Sequence, residues 1–138
     1  MAETFRLEIV TPEERLVSEE VRELVAPGTE GYFGVLPGHI PFVTTLDTGE
    51  LTYRVDGTER HLAISGGYAE VRRDRVIVLA DRAERAEDID APRAERARDR
   101  AAQRIQQWSG GAPGIDAARA QAALQRAVTR LAVASKGR

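Results

Sequence analysis

Arginine is the residue type with the most chemistry to offer in this chain, and four arginines are placed at regular intervals. Arg93 and Arg100 stand seven apart, and Arg126 and Arg130 stand four apart. On helices, each pair shares a face. If the two faces meet, four guanidinium groups converge and repel one another unless a polyanion or a partner's carboxylates complement them. Spacing alone leaves two readings open: an anion site, or solvated charges balanced by local acids such as Glu95 and Asp99. Either way the chemistry is that of binding, not of bond-making.

Other reactive constellations are missing from the sequence. It has no cysteine, so disulfides and thiolate metal sites are excluded. His39 and His61 are far apart and belong to no HExxH-type ligand pattern. No GxSxG elbow is present, and no GxxxxGK[ST] phosphate loop. The carboxylates are scattered, as on a solvated face. An enzyme in its own right is therefore disfavoured. One short echo remains: IDAPRA at 89–94 and IDAARA at 115–120 each place an aspartate where a helix would begin, as an N-cap.

The elements that must carry these residues follow from a change of period. A chain of 138 residues makes one ordinary domain or two small ones. Up to about Leu79, β-branched and aliphatic residues surround turn signals. From Ala83 onward Ala, Glu and Arg, all good helix formers, take over. The expected organisation is a β-sandwich docking domain over 1–85 and a helical hairpin over 86–138. In the first half Phe5, Leu7 and Ile9 alternate with Arg6, Glu8 and Val10, a strand with one buried face. Further strands are expected over 21–26, 32–36, 42–46, 51–55 and 59–65. Asp56 and Gly57 form a two-residue hairpin turn, and Gly66 and Gly67 break to a last strand pair around a charged turn at 72–75.

In the second half, Ala117, Ala120, Leu124, Ala127, Leu131 and Ala134 recur at steps of three and four, a heptad seam with Asp116 in front as N-cap. A thinner seam runs through Ala94, Ala97, Ala101, Ile105 and Trp108, and SGGAPG at 109–114 is a helix–helix turn. The outcome is an antiparallel αα-hairpin, loosely held because a buried methyl contributes only about 0.8 kcal/mol. Charge divides along the same line. Residues 1–85 carry ten arginines against sixteen acids, whereas 86–138 carry ten cations, including the only lysine, Lys136, against six acids.

No apolar run approaches the roughly 20 residues of a membrane span, and no secretion signal is evident, which points to a soluble, intracellular chain. A stand-alone module that binds a polyanion or nucleic acid through the arginine-bearing hairpin is the alternative to a subunit of a larger assembly. Trp108 is the only aromatic residue of that half and the basic excess is small, so nucleic acid is disfavoured.

Several strings together, GTEGYFGVLPGHIPF (28–42), SGGYAEV (65–71), VIVLADRAERAEDID (76–90) and LQRAVTRLAV (124–133), resemble the ε subunit of bacterial and chloroplast F-type ATP synthases. The resemblance covers nearly the whole chain in the right order. It implies an N-terminal antiparallel β-sandwich, a C-terminal helical hairpin, and a non-catalytic rotor subunit at the cytoplasmic face of the plasma membrane, peripheral through its complex. The sandwich would bind the γ subunit and the c-ring, with Tyr32 and His39 as candidates for the ring-facing loop. The hairpin would fold onto the sandwich or extend along γ towards the α/β catalytic hexamer and restrain ATP hydrolysis, through Arg119, Arg126 and Arg130. Some bacterial members bind ATP as a regulatory ligand in the folded hairpin through a motif I/L-D-x-x-R-A, matched here by Ile89, Asp90, Arg93 and Ala94. The resemblance thereby implies an ATP site of Glu84, Ile89, Asp90, Arg93, Ala94, Arg100, Arg126 and Arg130. In it Ile89 offers an apolar face to adenine, and Glu84 and Asp90 serve either as partners of the base or as helix caps. No metal or required cofactor is expected.

Overall fold

The computed structural model describes residues 3–137. Strand β1 (Phe5–Val10) follows its alternation, with Phe5, Leu7 and Ile9 buried. After it come β2 (Arg15–Val21), β3 (Glu23–Gly28), β4 (Gly31–Val35), β5 (Phe42–Thr45), β6 (Gly49–Val55), β7 (Thr58–Val71) and β8 (Arg75–Arg85). Their order is β2-β1-β8-β7-β6-β3-β4, with β5 also on β7. The β1–β8 pair is parallel and the others are antiparallel.

The sandwich arises because β7 and β8 each serve two layers. The first half of β7 pairs with β6, and its last residues pair with β5. The start of β8 pairs with β1, while β8 follows β7 along its whole length. The corner lies at Gly66 and Gly67, both at positive φ, and a Cβ on Gly67 would fall 2.0 Å from the Leu79 carbonyl oxygen. The glycine pair expected to end a strand instead bends one continuous strand, since only glycine takes that conformation and that approach. Leu7, Ile9, Leu24, Leu51, Leu62, Ile64, Val76 and Val78 fill the space between the layers. Burying each such aliphatic side chain contributes about 1.5–3 kcal/mol.

Two further expectations are corrected. The strand expected over 21–26 is the junction of two strands, β2 and β3, broken at Arg22, whose N–H donates to the Arg54 carbonyl. β2 is not among the expected strands, because the polar run Ser18–Glu20 interrupts its apolar pattern: Val17, Glu19 and Val21 share one face, and Glu19 takes part there only by accepting the Tyr53 hydroxyl. The hairpin turn stands as expected: Asp56 at φ 47° and Gly57 at φ 84° both take the left-handed conformation that a type I′ turn needs.

A 3₁₀ turn (Ala86–Asp88) leads from β8 to helix α1 (Ala91–Ser109), and α2 (Ala117–Ala134) returns along it. Both echo aspartates are N-caps. Asp90 accepts from the Arg93 N–H at 3.1 Å and Asp116 from the Arg119 N–H at 3.0 Å. Pro92 sits in the first turn of α1, where a missing N–H is harmless. Ala94, Ala101, Ala120 and Ala127 are buried at the helix–helix seam. Trp108, expected to end the α1 seam, is half exposed, since it lies at the tip of the hairpin beyond the reach of the sheet. The hairpin meets the sheet chiefly through α2, which packs on β6, β7 and the 3₁₀ turn. Among the described residues, no helix is long and apolar enough to cross a membrane.

Candidate functional site

Where the hairpin lies over the sheet, its two helices and strands β7 and β8 enclose an open cavity of about 260 Å³. The strand side is set by pairing. Ala63 faces Glu84 and Ser65 faces Arg82, so these four residues share the face that α2 covers. The helix side is set by the 3.6-residue period, which brings Arg93, Ala97 and Arg100 of α1 and Ala123, Arg126, Ala127 and Arg130 of α2 to the same space.

The four arginines singled out by spacing therefore converge, and they are not equivalent. The Arg130 side chain grips Glu84 of β8, with Nη2 donating to Oε2 at 3.1 Å and Nε 2.7 Å from Oε1. That Nε is buried and its hydrogen is not aimed at the carboxylate, so the contact is an ion pair and not a second hydrogen bond. Arg93, Arg100 and Arg126 make no ion pair or side-chain hydrogen bond among the described residues. Arg93 and Arg100 are exposed at the mouth of the cavity and Arg126 is half-buried, so their charge is open to the cavity and to solvent alike.

The other expected site residues are placed differently. Asp90 is exposed, and its carboxylate caps α1. Ile89 is 3% exposed, packed with Ala63, Ala86, Val133 and Ala134, and does not line the cavity. Ala94 is fully buried at the helix–helix seam. The motif thus starts the helix and anchors it, and only its arginine reaches the cavity. The apolar face expected of Ile89 is turned into this small core because Val133 and Ala134 cover it.

Four polar lining residues escaped sequence reasoning. Arg82, two positions before Glu84, adds a fifth guanidinium, and strand period two is the signal that would have found it. Thr48, Ser65 and Thr129 add hydroxyls, and Thr48 Oγ1 lies 3.0 Å from Ser65 Oγ. Thr129 shares the helix face of Arg126 and was legible from the same period, whereas Thr48 and Ser65 meet only through packing of distant segments. The arrangement offers charge and hydrogen-bond donors to an anion, with neither a nucleophile nor a paired acid and base. No cluster that could hold a metal ion occurs among the described residues.

Tyr32 and His39 lie elsewhere, on β4 and the loop after it. Tyr32 is 62% exposed, and its hydroxyl accepts the Glu50 N–H at 3.0 Å, so it does not fill the core. The His39 ring stands 5.3 Å from that of Phe42. Leu36, Ile40 and Val43 are also exposed, making this the most apolar stretch of surface on the sandwich.

Comparison with known proteins agrees with this architecture. Residues 4–86 match the family model "ATP synthase, Delta/Epsilon chain, beta-sandwich domain", and residues 87–135 match "ATP synthase, Delta/Epsilon chain, long alpha-helix domain". The ATP synthase epsilon chain of Nitratidesulfovibrio vulgaris (strain DP4) is 53% identical over 107 residues, which cover 78% of this chain and 80% of that one. That of Syntrophobacter fumaroxidans is 56% identical over 107 residues, with the same coverage. The fold also resembles a chain in the Euglena gracilis mitochondrial ATP synthase structure of OSCP, F1 and c-ring, with a TM-score of 0.81 at 24% identity, covering 96% of this chain and 82% of that one. With both halves matched in order and relatives above half identity, the chain belongs to the epsilon-chain family of F-type ATP synthases.

Proposed function

We propose that this chain couples rotation of the c-ring and γ subunit to ATP synthesis, restrains ATP hydrolysis by the α/β hexamer through its hairpin, and binds ATP as a regulatory ligand in the folded hairpin. As a member of its family it is a subunit of an ATP synthase and not the catalytic one. In this reading it sits at the cytoplasmic face of the plasma membrane through proton-translocating F1Fo. The exposed apolar run of Tyr32, Leu36, Ile40 and Val43, with His39 among them, supports docking through the sandwich, because such patches mark protein interfaces.

The observation that carries the regulatory part is the set of unpaired arginines, Arg93, Arg100 and Arg126, around one cavity. Cations gathered around one cavity repel, more weakly for exposed Arg93 and Arg100 than for half-buried Arg126, and a triphosphate relieves that repulsion with charge-assisted hydrogen bonds. Both helices contribute, so the ligand binds only while they are packed and stabilises the folded hairpin in proportion to its preference for that state. The one carboxylate in the cavity, Glu84, is engaged by Arg130 and activates no hydroxyl or water, so in this reading ATP is held and not cleaved. Calorimetric titration of the isolated chain with ATP tests this. Arg93→Ala or Arg126→Ala should each weaken binding by about ten- to a hundredfold, the worth of one charge-assisted contact. Absence of heat at millimolar ATP, or unchanged affinity in both variants, would leave the hairpin a purely mechanical arm.

A further inference from the structure

The end of the chain is tied to the sheet by contacts that the arginine cavity does not involve. Val133 and Ala134, fully buried, press on Ile89 and on Ala86 of the 3₁₀ turn. Beyond them Ser135 and Lys136 form a turn that leads to Gly137, with the Lys136 N–H on the Val133 carbonyl and the Gly137 N–H on that of Ala134. Gly137 lies so close to the 3₁₀ turn that a Cβ there would stand 2.6 Å from the Ala86 Cβ and 3.0 Å from the Glu87 nitrogen. Between them Lys136, the only lysine, places Nζ 2.6 Å from Glu50 Oε1 on β6. The other oxygen of that carboxylate lies 2.9 Å from His61 Nδ1 on β7.

We propose that residues 133–137 form a clasp holding the hairpin down on the sandwich, with Lys136 as its charged tip and the Glu50–His61 pair as its receptor. Three features act together. The apolar pair Val133 and Ala134 seats the end of α2 on the 3₁₀ turn that joins the sandwich to the hairpin, which on the reading proposed above is its hinge. Gly137 allows backbone to lie on backbone there. The Lys136–Glu50 contact fixes the register across 86 positions of sequence. Since α2, and not α1, makes the hairpin's main contact with the sheet, freeing its last turn removes the anchor nearest the hinge. Glu50 also donates its N–H to the hydroxyl of exposed Tyr32, so the receptor is joined to the apolar docking stretch by one residue. The clasp needs no nucleotide: none of Glu50, His61 and Lys136 lines the arginine cavity.

The chain has no cysteine, so two engineered ones give a single reporter distance. Spin labels at Thr58→Cys on the sheet and Ala122→Cys on α2, both exposed positions, report hairpin docking in the full chain without nucleotide. Lys136→Glu should raise the population at long distance by about fivefold, the worth of one partly exposed ion pair. Pairing it with Glu50→Lys should restore the short distance. A chain ending at residue 132 loses all three features, and its hairpin should be mostly displaced while circular dichroism still shows the strands and helices. A short distance unchanged in the chain ending at 132, or a Lys136→Glu effect that the charge swap fails to reverse, would overturn the clasp. Neither outcome depends on whether ATP binds.

Discussion

Glu84 on β8 and Arg130 on α2 face each other as an ion pair at 2.7 Å, 46 positions apart, and theirs is the one carboxylate contact made by the four convergent arginines. The pair neutralises one guanidinium and pins the second helix to the sheet. Glu84→Gln removes the negative charge and leaves Arg130, partly buried, beside four other guanidinium groups. Docking of the hairpin should weaken by about 1–3 kcal/mol. Affinity for inorganic pyrophosphate, which has no base to lose contact with, should rise by roughly tenfold as Arg130 becomes available. Thermal unfolding and pyrophosphate titration at low salt read the two effects, and unchanged affinity would show that Arg130 does not face the anion.

The Asp90 carboxylate already accepts the Arg93 N–H, so its replacement should act through the helix. Asp90→Ala should cost about 1 kcal/mol of hairpin stability and Asp90→Asn much less, because asparagine caps equally well. Circular dichroism melting of the full chain measures this. If the charge of Asp90 touched ATP directly, Asn would fail like Ala in a nucleotide titration. Equal ATP affinity for the aspartate and asparagine forms is the expected result.

What the sequence disclosed, and what it withheld, divides by range. Alternation at Phe5, Leu7 and Ile9, the Asp56 and Gly57 turn, and the two aspartate caps are local rules, and all are obeyed. The convergence of Arg93, Arg100, Arg126 and Arg130 was legible only as a condition: helix period fixes which arginines share a face, and the packing of the two helices over the sheet makes those faces meet. Ile89 went the other way, since its burial depends on Val133 and Ala134, more than forty positions on. Gly66 and Gly67 looked like a terminator because the local signal for a break and for a corner is the same. Only the pairing of β7 with two different strands distinguishes them.

Tyr53 gives the sandwich an alkaline limit. Burial first, and then its hydrogen bond to Glu19 at 2.9 Å, push its phenol well above the usual 10.0. The folded state therefore holds this proton more tightly than the unfolded state does. The contribution to stability is complete below about pH 10 and is lost as pH rises through that value towards the folded pKa. Urea midpoints compared from about pH 8 to about pH 11 should fall more steeply in the parent than in Tyr53→Phe. At neutral pH the variant should be less stable by about 1 kcal/mol, having lost the hydrogen bond. Parallel curves would mean that Tyr53 ionises without unfolding.

The division of labour between the halves makes the last prediction. Every residue of the sandwich core lies before Ala83, so a chain of residues 1–85 should fold cooperatively and still assemble with γ. The hairpin has no comparable core. Its seam is mostly alanine methyls at about 0.8 kcal/mol each, and isolated helices of this length are marginal in water. Residues 86–138 alone should therefore be frayed, with no cooperative transition. Reconstituting the F1 sector with 1–85 in place of the full chain then separates docking from restraint. ATP hydrolysis should rise by at least about fivefold, the low end of an allosteric coupling. Failure of the truncated chain to assemble would move docking to the hairpin. Assembly with an unchanged hydrolysis rate would remove restraint from its function and leave coupling.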